Sequence, residues 1–305
     1  MVKSVAETIS FLTKKLLDKN KGIVIGQCLT AVGWVQNTVP KQKKGIIELP
    51  MTDVAGAGFA VGASIAGSRA IFILRFQSFL WLNASAIVNH AAKAKELFNY
   101  GCPIFIRAIA SEGPSSGPVH TNCYHSPFAH MPGLNICAPM SPNEYKDVWK
   151  EYLANDEPYL VSEHRRSYKE KKEFEDIITK KPRLSLFLIS ASRFEEEKIL
   201  KKLKNEKIEI DLFHIVWLKP FKLKNAYLRS LEKSKIGLVI DSTYEICSVS
   251  EHISLKLTLK SKKSKVYNYG MEDRSPGCTK KLQNGTPNAD MIVKKIKQLI
   301  KNKNI

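Results

Sequence analysis

Residues 49–67, LPMTDVAGAGFAVGASIAG, set one acid, Asp53, ahead of an unusually small-residue run. Two chemistries suit a carboxylate in that place. As an N-cap, Asp53 or its neighbour Thr52 would accept helix backbone N–H groups, a contact worth about 1 kcal/mol. Facing a cleft instead, Asp53 could hold a proton against a ligand. Gly56, Gly58, Gly62 and Gly67 would let another helix pack closely. A dinucleotide fingerprint fits these glycines poorly: the spacing is wrong, and the acidic ribose-binding residue expected further on is missing.

Two further stretches carry residues suited to chemistry. Residues 74–93, LRFQSFLWLNASAIVNHAAK, place Phe76 and Phe79 in a strand-to-helix connection, where aromatic rings can face a cleft. Residues 111–133 form a Gly-, Ser-, Pro- and His-rich loop holding His120, Cys123, His125 and His130. Long structured loops of this kind are usually functional. Zinc ligation by the three histidines is disfavoured. A five-residue spacing sets neighbours about 140° apart on a helix and on opposite faces of a strand. No cysteine pair completes a metal spacing either.

The elements that must hold these residues alternate strand and helix, which predicts an α/β fold with a mainly parallel sheet. Helices are expected over 4–18, 53–67, 80–99 and 142–155, the last with Ser141 as N-cap and Pro142 at its first position. Buried strands are expected at 22–26, 70–74, 103–110, 135–138 and 159–163. Residues 164–182 are dense in charge and without clear period, and read as a linker with partial structure. A second alternating unit begins at Leu184. Two domains are therefore predicted, residues 1–180 and 183–305.

The order of these segments resembles the β subunit of the decarboxylating component of 2-oxo-acid dehydrogenases, in the wider transketolase superfamily. That family's Pro, two residues and an acid before a helix ending A-V-G-A-x-x-A-G match Pro50–Gly67. Its phenylalanine turn before N-x-A-A-K matches Phe76–Lys93, and its His-containing loop ending in Cys matches Gly117–Cys123. The H-x-P-G-L turn falls on His130–Leu134, and the following helix and strand on Pro139–Lys146 and Asn155–Glu163. The likeness is specific from about 45 to 165 and looser from 184 onward.

The resemblance implies a transketolase-type domain binding the pyrimidine of thiamine diphosphate, followed by a smaller α/β C-terminal domain. Asp53 then aligns with the family glutamate that favours the imino tautomer of the aminopyrimidine, which draws the proton from the thiazolium carbon. Phe79, with Phe76, would lie against the pyrimidine. His120 would line the substrate channel, orienting the 2-oxo acid or moving a proton. The family's Gly-Asp-Gly…Asn block for diphosphate and magnesium has no counterpart here. An α-type partner subunit is thus implied to hold the magnesium, in an α2β2 assembly whose acyl group passes to a lipoyl acyltransferase. A freestanding acyloin-forming or transketolase-like carboligase is the alternative, and a non-catalytic scaffold subunit a further one.

Two departures from the family bear on this. Aspartate is shorter than glutamate by one methylene, roughly 1.5 Å of reach. Residues 151–305 carry 33 Lys and Arg against 21 Asp and Glu, an unfavourable sign for docking a basic acyltransferase module.

Composition limits the remaining classes. The net charge of +19 is spread over Lys-rich loops and helix ends without a nucleic-acid-binding signature, so a solvated surface is expected rather than a nucleic-acid footprint. Six dispersed cysteines without C-x-x-C argue for reduced thiols. Neither a signal-peptide pattern nor an apolar run of membrane-spanning length occurs, so a cytoplasmic protein is expected.

Overall fold

A computed structural model describes residues 2–31, 33–112, 117–279, 282 and 285–302. Residues 113–116 of the His-containing loop and 303–305 of the basic tail lie outside the described residues. The chain divides into two compact units, one built from residues 2–112, 119–173 and 218–220, the other chiefly from 174–217 and 221–302.

The first unit is organised by a seven-stranded sheet. Its strands are β1 (Gly22–Gln27), β2 (Ile46–Leu49), β3 (Arg69–Leu74), β4 (Ile104–Ala110), β5 (Asn135–Cys137), β6 (Tyr159–His164) and, at the edge, β9 (Trp217–Lys219). The order is β2-β1-β3-β4-β6-β5-β9, and the pairings from β2 to β5 are parallel. Strands β3 and β4 read as near-continuous apolar runs because helices cover both faces of such a sheet, leaving neither face to water.

Arg107 is the exception within β4. Its guanidinium is fully buried and forks onto Glu163 of β6 at 2.6 and 2.9 Å, while Thr38 accepts a third bond at 2.9 Å. Tyr145 and Tyr168 both donate to Glu163 at 2.8 Å. A buried pair survives only when its spare lone pairs are satisfied in this way.

Local structure departs from the expected pattern in instructive places. The helix expected over 53–67 spans only Gly56–Ile65, leaving Asp53 in the turn before it. The helix expected over 80–99 is broken into Leu80–Ser85, a π-helical turn Ala86–Ala91, and Ala94–Phe98. Ser141 occupies the N-cap of Pro142–Ala154, yet its hydroxyl donates to Glu173 at 2.5 Å instead of capping. Strands β2 and β9 escaped the pattern, being four and three residues long and only partly buried, too short to display a period.

The second unit carries β7 (Ser185–Ile189), β8 (Asp211–Ile215), β10 (Ile236–Tyr244) and β11 (Lys265–Met271) in the parallel order β11-β10-β7-β8. Leu186, Leu188, Leu238 and Ile240 meet Ile292 and Ile296 of the last helix, Ala289–Asn302, in its core. Within the charged stretch 164–182, Arg165–Lys169 form a 3-10 turn, and Ile177 bridges antiparallel to Leu212. Among the described residues no helix is long and apolar enough to cross a membrane.

Candidate active site

In the first unit the sheet order reverses direction between β1 and β3. Crevices beyond the carboxyl ends of such strands are where open parallel sheets bind ligands. A cavity of about 130 Å³ opens there, lined by Gln27 at the end of β1 and Cys28 after it, Phe72 and Leu74 of β3, Phe76 and Phe79 beyond it, and Asp53 with Asn83.

Asp53 reaches this cavity because Pro50 ends β2 and residues 51–55 turn the chain into the small-residue helix. The helix N-cap is Ala55, with no side-chain cap bond, and Thr52 donates to the carbonyl of Pro50 at 3.1 Å. Neither Asp53 nor Thr52 therefore caps it. That work falls to Asn83 on the next helix: its Oδ1 accepts from the backbone N–H of Ala57 at 2.9 Å, and its Nδ2 donates to the carbonyl of Phe79 at 2.9 Å. Asp53 is half-buried and makes no hydrogen bond or ion pair among the described residues.

The glycines divide by role. A Cβ at Gly56 would stand 3.3 Å from the Phe72 ring, so this glycine permits the helix to lie close on β3. Gly58, Gly62 and Gly67 face open space, with nothing within 4 Å of where a Cβ would stand. Among the described residues the close contact expected at all four glycines is therefore absent at these three.

Phe76, Phe79 and His120 form an aromatic cluster beside the cavity. His120 stacks on Phe76 with centroids 4.1 Å apart and rings inclined 13°, and meets Phe79 edge-on at 5.3 Å. Its Nδ1 lies 3.1 Å from the Ser78 hydroxyl. The Arg165 guanidinium lies 4.3 Å over the Phe76 ring and donates to the carbonyl of Arg75 at 2.9 Å. Partial burial, and then the positive charge of Arg165, hold the His120 imidazole below its ordinary range, so it is neutral near pH 7.

Asp53, Phe76 and Phe79 thus share one cavity, with His120 packed against the two phenylalanines. His125 and His130 part company with His120: His125 is fully buried beside Cys123, and His130 is exposed. Among the described residues no three His, Cys, Asp or Glu side chains converge to hold a metal ion. Sequence reasoning missed Arg165, hidden in a charge-dense stretch, and Asn83, whose one signal is a polar side chain in an otherwise apolar helix start.

The family model described as transketolase, pyrimidine binding domain, matches residues 6–171. The β subunit of 2-oxoisovalerate dehydrogenase from Bacillus subtilis is 34% identical over 131 residues, covering 41% of this chain and 38% of that protein. The pyruvate dehydrogenase E1 β subunit of Rickettsia felis is 31% identical over 127 residues, 41% of this chain and 39% of its own. The matched stretch is therefore well under half the length of these relatives. Over the whole chain the fold resembles a solved split-gene transketolase described as an inactive β4 tetramer, with a TM-score of 0.76 at 14% identity, covering 99% of both chains. Transketolase from Campylobacter jejuni gives a TM-score of 0.73 at 16% identity, over 97% of this chain and 46% of that one. The chain has the transketolase-type α/β fold and belongs to the family of the transketolase pyrimidine-binding domain.

Proposed function

We propose that this chain is the β subunit of a thiamine-diphosphate-dependent 2-oxo-acid dehydrogenase. Its first domain, residues 1–180, would bind the pyrimidine, and residues 183–305 would form the C-terminal domain. The observation that carries the reading is Asp53: a half-buried carboxylate with no protein partner among the described residues, set in an apolar cavity beside Phe79. A heteroaromatic ring with a protonatable nitrogen suits that lining, since the ring fills the apolar walls and its N–H donates the hydrogen bond that Asp53 can accept. Bound thiamine diphosphate would supply the carbon nucleophile and electron sink for decarboxylation.

The chain's own residues then divide the work. Asp53 holds the proton at the ring nitrogen, and Phe79 packs against the ring. Phe76, already in contact with His120 and Arg165, backs this wall and fixes His120. Neutral His120 orients the 2-oxo acid or accepts a proton.

The diphosphate and magnesium belong in this reading to an α-type partner, because the Gly-Asp-Gly signature is missing here. Exposed apolar side chains on the turn bearing Asp53, the small-residue helix and the helix of Asn83 support a partner surface: Met51 and Val54 are 75% and 73% exposed, and Phe59 and Trp81 each 52%. An α2β2 assembly in the cytoplasm, delivering the acyl group to a lipoyl acyltransferase, completes the proposal. The whole-chain likeness to a split-gene transketolase supports a second reading, a two-subunit carboligase that passes the activated aldehyde to another carbonyl.

Calorimetry with thiamine diphosphate and magnesium tests the two-subunit arrangement. The chain alone is expected to bind weakly, and its mixture with an α-type subunit tightly; tight binding by this chain alone overturns it. Product analysis of the reconstituted pair with a 2-oxo acid, with and without a lipoyl domain, then separates acyl transfer from carboligation.

A further inference from the structure

Between Phe76 and Phe79, in a 3-10 turn, lies Gln77, with no exposed surface. Its Nε2 donates to the carbonyl of Ala108 on β4 at 3.1 Å, and its Oε1 accepts from the backbone N–H of Tyr124 at 2.6 Å. Those two backbone partners fix the amide orientation, since the flipped amide would set donor against donor and acceptor against acceptor. Nε2 also donates to Ser162 Oγ of β6 at 2.8 Å. The Ser162 hydrogen is then free for His125 Nδ1, 2.9 Å away, and Cys123 Sγ lies 3.2 Å from the same nitrogen. Cys123, Tyr124 and His125 follow closely on His120 in the chain.

We propose that Gln77 is a positioning residue, locking the Phe76–Phe79 turn and the loop of His120 into one register against β4 and β6. One side chain thereby spans the turn, two strands and the loop. The contacts that shape the aromatic cluster depend on that register: the Ser78–His120 contact and the stacking of His120 on Phe76 each join the turn to the loop. Buried polar networks hold such a register because each bond lost leaves a desolvated group unpaired.

The structural consequence stands independently of the function proposed above; only the kinetic consequence rests on it. Gln77→Met keeps the volume and removes every hydrogen bond of the amide. In the full chain labelled with 15N-histidine, His120 of Gln77→Met is expected to titrate at higher pH than in the wild type, as the loop loosens and the ring gains water. Val161→Ala, a core change on the same strand as Ser162, serves as the control for stability loss alone and should leave the His120 titration in place. Ser162→Ala removes one link of the network and should shift His120 in the same direction by less; it carries the test if Gln77→Met does not fold. In the reconstituted pair, kcat of Gln77→Met should fall by about 100-fold, the scale expected from misplacement near 1 Å, with cofactor affinity changed far less. An unmoved His120 titration in folded Gln77→Met and in Ser162→Ala overturns the proposal. A shifted His120 in a pair whose wild type is inactive on every 2-oxo acid instead counts against the proposed function and leaves the positioning role standing.

Discussion

At Asp53 the two chemistries open in the sequence separate cleanly. Because the helix is capped by Asn83 and not by Asp53, Asp53→Asn should change stability by no more than about 0.5 kcal/mol, as for surface changes outside any network. Exchange of the thiazolium proton for deuterium in the assembled enzyme should nonetheless slow by orders of magnitude, since the amide keeps the size and loses the charge. NMR-detected exchange checks this, and unaltered exchange would promote the scaffold alternative. Asp53→Glu reports whether the turn at 51–55 has moved to suit the shorter acid. For His120→Ala, kcat should fall more than cofactor affinity, because His120 contacts the phenylalanines and Ser78 rather than lining the cavity itself. Its depressed pKa also fixes a sign. The imidazole stays neutral as pH falls past the ordinary histidine value of 6.5 and protonates only below it. An acid limb of kcat/KM belonging to His120 should therefore lie below pH 6.5 and vanish in His120→Ala.

Among the elements, the join between the small-residue helix and Leu80–Ser85 has the most direct consequence. Asn83 holds the first helix through Ala57 and its own helix through Phe79, so it couples the turn bearing Asp53 to the turn bearing Phe79. Asn83→Ala should cost about 1 kcal/mol as a lost cap, and should also weaken cofactor binding in the reconstituted pair. Asn83→Asp retains an acceptor for Ala57 but sets a buried carboxylate oxygen against the carbonyl of Phe79, so it should not restore the stability. Denaturant titration with calorimetry distinguishes the two effects. The Arg107–Glu163 pair is a different kind of join: with both tyrosines spent on Glu163, it ties β4 to β6 without lining the cavity.

For the molecule as a whole, buried histidines set an acid limit in each unit. Burial pushes His164 down to about 4 and His214 down to about 3. In the unfolded chain both take up protons near the ordinary value of 6.5. The folded state thus favours the neutral rings, and the stability they contribute is complete above about pH 6.5 and lost as pH falls toward 4. Each histidine should remove on the order of 2–4 kcal/mol across that window. Urea unfolding between pH 7 and pH 4 measures the slope, and His164→Gln should flatten it. The net charge of +19 adds self-repulsion in the same direction.

What the sequence determined by itself was the ordering of strands and helices and the place of one acid, Asp53, ahead of a small-residue run. Apolar runs such as Ala70–Leu74 and Ile104–Ala110 can satisfy both their backbone and their side chains only inside a covered parallel sheet, and Pro50 with Asp53 stands out before an almost wholly small-residue run. Tertiary structure decided the rest, because it depends on partners distant in the chain. Asn83, and not the adjacent Asp53 or Thr52, caps the helix at Gly56, since packing brings its amide to the free N–H of Ala57. Arg165 looked like one more charge in a basic stretch, until the end of β6 carried it over Phe76. Gln77, an unremarked polar residue between two phenylalanines, acquires its meaning only when β4, β6 and the loop after His120 converge on its amide. Local pattern records which face of an element is apolar; which buried polar atom meets which is set by three-dimensional closure alone.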